Sequence, residues 1–281
     1  MTFELEEFEL WRDRGDDAPL IIRGEARLPA RAKGAVVICH GFKGFAHFSF
    51  FPYVAEQLAN AGFRAITFDF SGSGMGEDRE NFTSRDAFTH NTYLQELEDL
   101  DAVVGDAKVK DWIDDGYGLF GHSRGGGVAI LQAARDPGVK ALVTWAAISS
   151  TNRWSTDDVR EWRERGYVEI VNARTGDKIP LSTRILEEVI EFGETRLNIA
   201  SAASRIRVPW LIVHGAEDET VPVGEAQRLG AIAESGTLRV LEGVNHSFGG
   251  KHPLAEVTPT LESVTRETVE FFATHLTRPG M

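Results

Sequence analysis

The chain has 281 residues, 42% of them hydrophobic, enough to bury a large α/β core in one or two domains. Its formal net charge of −13 argues against nucleic acid or an anionic membrane as a main partner, because both require basic patches. A single cysteine, Cys39, excludes an internal disulfide, and no Cys/His pair has zinc-like spacing.

The first ten residues, "MTFELEEFEL", alternate apolar with acidic side chains, unlike a secretory signal. No apolar run approaches a membrane span, so the expectation is a cytoplasmic protein without a membrane partner. "FELEEFEL" and "LIIRGEARL", flanking the turn-rich "WRDRGDDAP", read as an antiparallel hairpin with one wet face. Six short β-branched runs follow: "GAVVICHG", "RAITFDF", "YGLFGHS", "VKALVTWAA", "PWLIVHG" and "TLRVLEG". They lack strict alternation, as strands buried on both faces of a parallel sheet do, and Cys39 reads as a buried member of the first run. Helical patterns separate them at Pro52–Ala61, Asn91–Asp106, Gly125–Arg135, Gly224–Glu234 and Pro259–Leu276. The alternation predicts an α/β fold, a mostly parallel eight-stranded sheet with an antiparallel N-terminal edge and helices on both faces.

Residues 150–205 break the rhythm. "STDDVREWRERG" predicts a helix capped by Ser155 or Thr156, "YVEIVNARTGDKIPL" a small hairpin around "RTGD", and "STRILEEVIEF" another helix. The expected organisation is a core of residues 1–149 and 206–281 with a lid at 150–205 over the C-terminal edge of the sheet, where open α/β folds bind ligands.

The segment "YGLFGHSRGGGVAI", from Tyr117 to Ile130, carries the chemistry. A bare G-x-S-x-G pattern is weak; here it follows a strand and opens a helix. A nucleophile on such a turn sits in a strained backbone, and Gly121 and Gly125 permit the close approach the turn needs. A serine hydroxyl needs a base and an acid that orients the base, and the motif places them later in the order Ser, acid, His. His246, in the "LEGVNHSFGG" loop between the last strand and the final helix, is the favoured base, with His252 as its competitor. His40, His47, His90 and His122 precede the serine, His275 ends the last helix, and His214 reads as a strand-end residue. "LIVHGAEDETVP" offers Glu217, Asp218 and Glu219; Asp218 is the expected acid and the others structural. An oxyanion hole needs two donors, expected from the backbone N–H groups of Arg124 and of Phe42 in "VVICHGFKGF", with His40 bracing that loop. The Arg124 and Lys43 side chains are candidates to attract an anionic group or are solvated surface charges. "FDFSGSGMGED" fails as a dinucleotide fingerprint because its glycines are wrongly spaced and no long helix opens from them; it reads as a rim loop.

The ordered set "HGFKG", "DFSGSG", "GHSRGG", "GAEDETVP" and "NHSF" resembles the α/β-hydrolase superfamily, specifically bacterial carboxylesterases similar to the cinnamoyl/feruloyl esterases and the serine-aminopeptidase-like hydrolases. The resemblance runs from about Gly34 to Leu276. It implies Ser123, Asp218 and His246 as catalytic triad and Phe42 with Arg124 as oxyanion donors. Serine at position 123 departs from the cysteine of dienelactone hydrolases and the aspartate of haloalkane dehalogenases and epoxide hydrolases, and counts against those reactions. The expected activity is hydrolysis of short-chain or aryl (hydroxycinnamoyl) carboxylic esters through an acyl-enzyme, without metal or organic cofactor. Small-molecule esters are the expected partners, and a homo-oligomer stays open. Trp154, Trp162, Tyr167, Ile185 and Leu186 are expected to form an apolar substrate pocket. The rival readings are a small-substrate peptidase or amidase on the same triad, and a non-catalytic binding protein on a hydrolase scaffold.

Overall fold

The computed structural model describes residues 2–14, 17–172 and 176–276. In chain order the elements are β1 (Phe3–Arg14), β2 (Asp17–Pro29), β3 (Gly34–Cys39), α1 (Phe51–Asn60), β4 (Phe63–Asp69), α2 (Arg85–Thr89), α3 (Tyr93–Val109), β5 (Tyr117–His122), α4 (Arg124–Ala133) and β6 (Val139–Trp145). There follow α5 (Thr156–Arg165), β7 (Tyr167–Val171), β8 (Lys178–Ser182), α6 (Arg184–Phe192), α7 (Ile199–Ala203), β9 (Trp210–Gly215), α8 (Gly224–Ile232), β10 (Gly236–Leu241) and α9 (Pro259–Leu276).

Eight strands form one sheet in the order β1-β2-β4-β3-β5-β6-β9-β10, antiparallel at β1/β2 and β2/β4 and parallel beyond. The fold is therefore the expected α/β architecture with an antiparallel N-terminal edge. Five of the β-branched runs, β3, β4, β5, β6 and β9, are buried on both faces because alternate side chains meet different helix layers. The sixth, expected to be buried likewise, forms the edge strand β10, where Thr237 and Arg239 are exposed because no further strand or helix covers that side. Val37 and Cys39 of β3 pack into the core that holds α3, α4 and α8, whereas Val36 and Ile38 pack against α1 and α9. The N-terminal hairpin is longer than its sequence suggests: pairing continues through Trp11 and Arg12 to the Arg14–Asp17 pair, where only a loop was expected. Partners across the hairpin override the turn-rich local composition there.

Between β6 and β9, α5 starts at an Ser155 cap whose hydroxyl accepts from Asp158 N–H while the Asp158 carboxylate accepts from Ser155 N–H. Such a box stabilises a helix start by about 1 kcal/mol. β7 and β8 form a separate two-stranded sheet; Arg174 and Thr175 of the expected "RTGD" tip lie outside the described residues.

A buried charge network ties β2 and β4 to the loops beside them. Glu25 binds Arg27 (2.7 Å), His47 (3.1 Å) and Arg79 (3.3 Å), and Asp69 binds Arg79 (3.1 Å) and the Ala46 N–H (2.6 Å). Burial disfavours the Glu25 carboxylate, but His47, Arg27 and Arg79 outweigh it and bring its pKa down from 4.5 to about 2. A carboxyl with a depressed native pKa stabilises the fold above its unfolded value and loses that contribution as pH falls through the native one. Wild-type stability is therefore expected to drop by about 3 kcal/mol more than that of Glu25→Gln between the two pKa values. Denaturant titrations of both proteins over that range check this, and parallel acid limbs would refute it.

Candidate active site

Strand β5 ends at His122 and helix α4 begins at Arg124, so Ser123 alone makes the turn. Its backbone lies at φ +57° and ψ −122°, a strained region for a residue with a Cβ. The Ser123 N–H donates to Trp145 O (2.9 Å), which fastens the turn to β6. A Cβ on Gly121 would lie 2.4 Å from Gly125 O, and one on Gly125 would lie 2.1 Å from His40 O. Both spacings forbid a side chain, which explains the glycines two before and two after the serine.

The loop after β9 presents Asp218, buried between the exposed Glu217 and Glu219. Its Oδ1 accepts from the Thr220 (2.9 Å) and Val221 (2.8 Å) amides, and its Oδ2 binds His246 Nδ1 at 2.7 Å. His214 Nε2, which donates to Val221 O (2.8 Å), is also 3.3 Å from Asp218 Oδ2. Burial raises the pKa of Asp218, but the bonds from His214, His246 and Val221 overcome it and hold the carboxyl well below its ordinary range. Ionised Asp218 can thus keep a hydrogen on His246 Nδ1, leaving Nε2 as the basic nitrogen.

The His246 loop lies against β5. His122 Nε2 donates to His246 O (3.0 Å), and the two rings lie 4.6 Å apart. Burial, then the proximity of His246, pushes the His122 pKa down to about 3, so this ring stays neutral. Among the described residues no hydrogen bond joins Ser123 Oγ to the His246 ring. Such bonds often tighten only around substrate. The competing His252 lies elsewhere, its Nδ1 accepting from Ser49 N–H (3.1 Å) and its ring stacked on Phe48.

On the other side of Ser123, the loop after β3 holds Phe42. Burial lowers the pKa of His40, and the neutral ring braces the loop: Nδ1 donates to Gly41 O (2.9 Å) and Nε2 accepts from Phe70 N–H (3.1 Å). A Cβ on Gly41 would sit 2.9 Å from Ser123 Cβ, which measures how closely this loop approaches the serine. Neither the Phe42 nor the Arg124 amide donates to another described residue.

A cavity of about 540 Å³ reaches Ser123. Trp154, Trp162, Tyr167 and Ile185 line it as expected from sequence, but Leu186 does not; one position along α6 turns it into the main hydrophobic core. Tyr93 and Arg153, which lie in none of the motifs, also line it, as does Val221 of "GAEDETVP". Arg124 is no solvated surface charge: only 5% exposed, it is paired through Nε with Glu96 (3.0 Å), whereas Lys43 is exposed. Cys39 is fully buried, and burial pushes its thiol pKa up, as fits an inert strand residue. Among the described residues no group of three or more His, Cys, Asp or Glu side chains is placed to hold a metal ion, and no helix is long and apolar enough to cross a membrane.

The family model Hydrolase_4, described as serine aminopeptidase, S33, matches residues 30–171. An uncharacterized 31.7 kDa protein of Escherichia coli is 26% identical over 238 residues, covering 74% of this chain and 80% of that one. A monoacylglycerol lipase of Mycolicibacterium smegmatis is 25% identical over 238 residues, covering 76% and 81%. Among solved structures, Est1E of Butyrivibrio proteoclasticus with ferulic acid bound superposes with a TM-score of 0.70 at 21% identity, covering 95% of this chain and 99% of that one.

Proposed function

The chain belongs to the Hydrolase_4 family (serine aminopeptidase, S33), an α/β-hydrolase family, and on that premise we propose that it cleaves carboxylic esters through an acyl-enzyme on Ser123. The observation that carries this reading is the 2.7 Å His246–Asp218 pair beside a strained serine that opens onto the cavity. His246 Nε2 takes the Ser123 proton as Oγ bonds to the ester carbonyl carbon, and Asp218 stabilises the imidazolium. The Phe42 and Arg124 amides stabilise the oxyanion, each worth roughly 3–4 kcal/mol in the transition state. Collapse of the tetrahedral adduct expels the alcohol, which takes the proton from His246. The same ring then deprotonates water, which releases the acid and restores Ser123. No step needs a metal or organic cofactor. Labelling by a fluorophosphonate probe together with turnover of p-nitrophenyl esters tests this; an unlabelled, inactive protein would return it to the class of non-catalytic binding proteins.

Residues 150–205 serve in this reading as the lid, and its aromatic wall favours aryl or short acyl groups. Trp154 packs edge-on against Trp162 at 5.0 Å in that wall. Trp154→Ala is expected to raise KM for a p-nitrophenyl aryl ester about three- to tenfold with little change in kcat. A kcat loss at constant KM would place Trp154 in the chemical step instead.

The description of the family as a serine aminopeptidase favours a second reading, cleavage of small amides on the same triad. Matched aminoacyl amides and esters decide between them: faster amide turnover per unit concentration would displace the esterase reading.

A further inference from the structure

Two polar side chains in the cavity wall keep donors without a partner. The Arg124 guanidinium, 5% exposed, is held by Glu96 through Nε alone. Its Nη2 is wholly buried without a hydrogen bond, and no described residue accepts from Nη1. The plane of the guanidinium is fixed by aromatic rings, with Cζ 4.1 Å from the Tyr93 centroid and 5.1 Å from that of Phe42. Tyr93, itself 3% exposed, lines the same cavity, and its hydroxyl has no partner among the described residues. An unmet donor of this kind is costly, more so when charged, so two in the wall of the cavity that reaches Ser123 point to a ligand oxygen.

The charge of that oxygen follows from its surroundings. Glu96 already balances Arg124, with its other oxygen taken by Asn91 Nδ2 (2.8 Å). Close by, Glu188 of α6 accepts from the Tyr93 (2.8 Å) and Leu94 (3.1 Å) amides. Arg153 in the same wall is paired with Glu225. A third carboxylate would meet two others, whereas a carbonyl oxygen, with two lone pairs and no charge, can take one bond from each donor.

We propose that Arg124 and Tyr93 form a specificity subsite that selects esters whose acid part carries a second, uncharged carbonyl. The subsite rests on the esterase reading above. The acid part is the half that stays on Ser123 through both steps, and Arg124 is the next residue along the chain.

The test compares kcat/KM for three p-nitrophenyl esters: pentanoate, its oxo analogue levulinate, and the half-ester of glutarate. Wild type is expected to favour levulinate over pentanoate about tenfold, and to handle the anionic half-ester no better than pentanoate. Tyr93→Phe keeps the ring stack and loses only the hydroxyl; it is expected to reduce the levulinate preference about threefold. The double variant Arg124→Met with Glu96→Gln removes both charges together and is expected to bring the ratio to about one. An unchanged ratio in both variants, or a preference for the half-ester, overturns the subsite while leaving the esterase reading in place. A wild-type protein that hydrolyses none of the three and takes no fluorophosphonate label removes both.

Discussion

Ser123→Ala is expected to lower ester turnover by about five to six powers of ten, to the level that binding and oxyanion stabilisation provide without a nucleophile. The variant is also expected to fold normally. Alanine keeps the Cβ and therefore the same strained backbone at φ +57°, and the lost hydroxyl has no described partner in the His246 ring. Its Tm should stay within a few degrees of wild type. Ser123→Gly separates catalysis from strain more sharply. Removing the Cβ relieves about 1–3 kcal/mol of backbone strain, against about 0.5–1 kcal/mol of added chain entropy, so this inactive variant should be at least as stable as the parent. Intact-mass detection of a fluorophosphonate adduct on either variant, or p-nitrophenyl ester turnover near the parental rate, would remove Ser123 from the proposed role.

Gly125→Ala is expected to lose more than about 3 kcal/mol of stability, enough to prevent accumulation of folded protein. The added methyl would lie 2.1 Å from His40 O and 2.7 Å from Cys39 O, both backbone atoms at the C-terminal end of the central strand β3 that cannot swing aside. A move of that strand end would also carry away the Phe42 loop. Gly105, in helix α3, provides the contrast. Nothing lies within 4 Å of a Cβ placed there, so Gly105→Ala should gain about 1 kcal/mol from helix propensity and a less flexible unfolded chain. Urea melts of the two variants give opposite signs if packing at the turn is the cause. Equal effects would mean that helix propensity alone governs both.

Much of the fold is legible along the chain because the signals are local. Unbroken β-branched runs mark the central strands covered on both faces, though not the half-exposed edge strand β10, and the strand ends expected at "LFGH", "VHG" and "VLEG" coincide with β5, β9 and β10 or their loops. The candidate site is legible to the same degree, since Ser123, Asp218 and His246 each follow a strand in a recognisable order. The "WRDRGDDAP" turn misled because nine residues of turn-forming composition hide a pairing whose partners lie across the hairpin. Leu186 misled because helical phase, one residue from Ile185, decides which neighbour faces the cavity.

Other features depend on residues that the chain keeps far apart. His122 looks like an incidental neighbour of the serine until its ring is found bonded to the His246 backbone, 124 positions away. Arg124 looks like a surface charge until folding buries it on Glu96 and Tyr93. Sequence by itself determined the α/β sheet, the turn that carries Ser123 and the order of its candidate partners, because these follow from periodicity, glycine placement and short motifs. Tertiary structure alone decided that His214 also reaches Asp218, that the His122 ring holds the His246 backbone and which donors in the cavity wall are left without a partner, because hydrogen bonds and burial are set by side chains brought together from distant strands and helices.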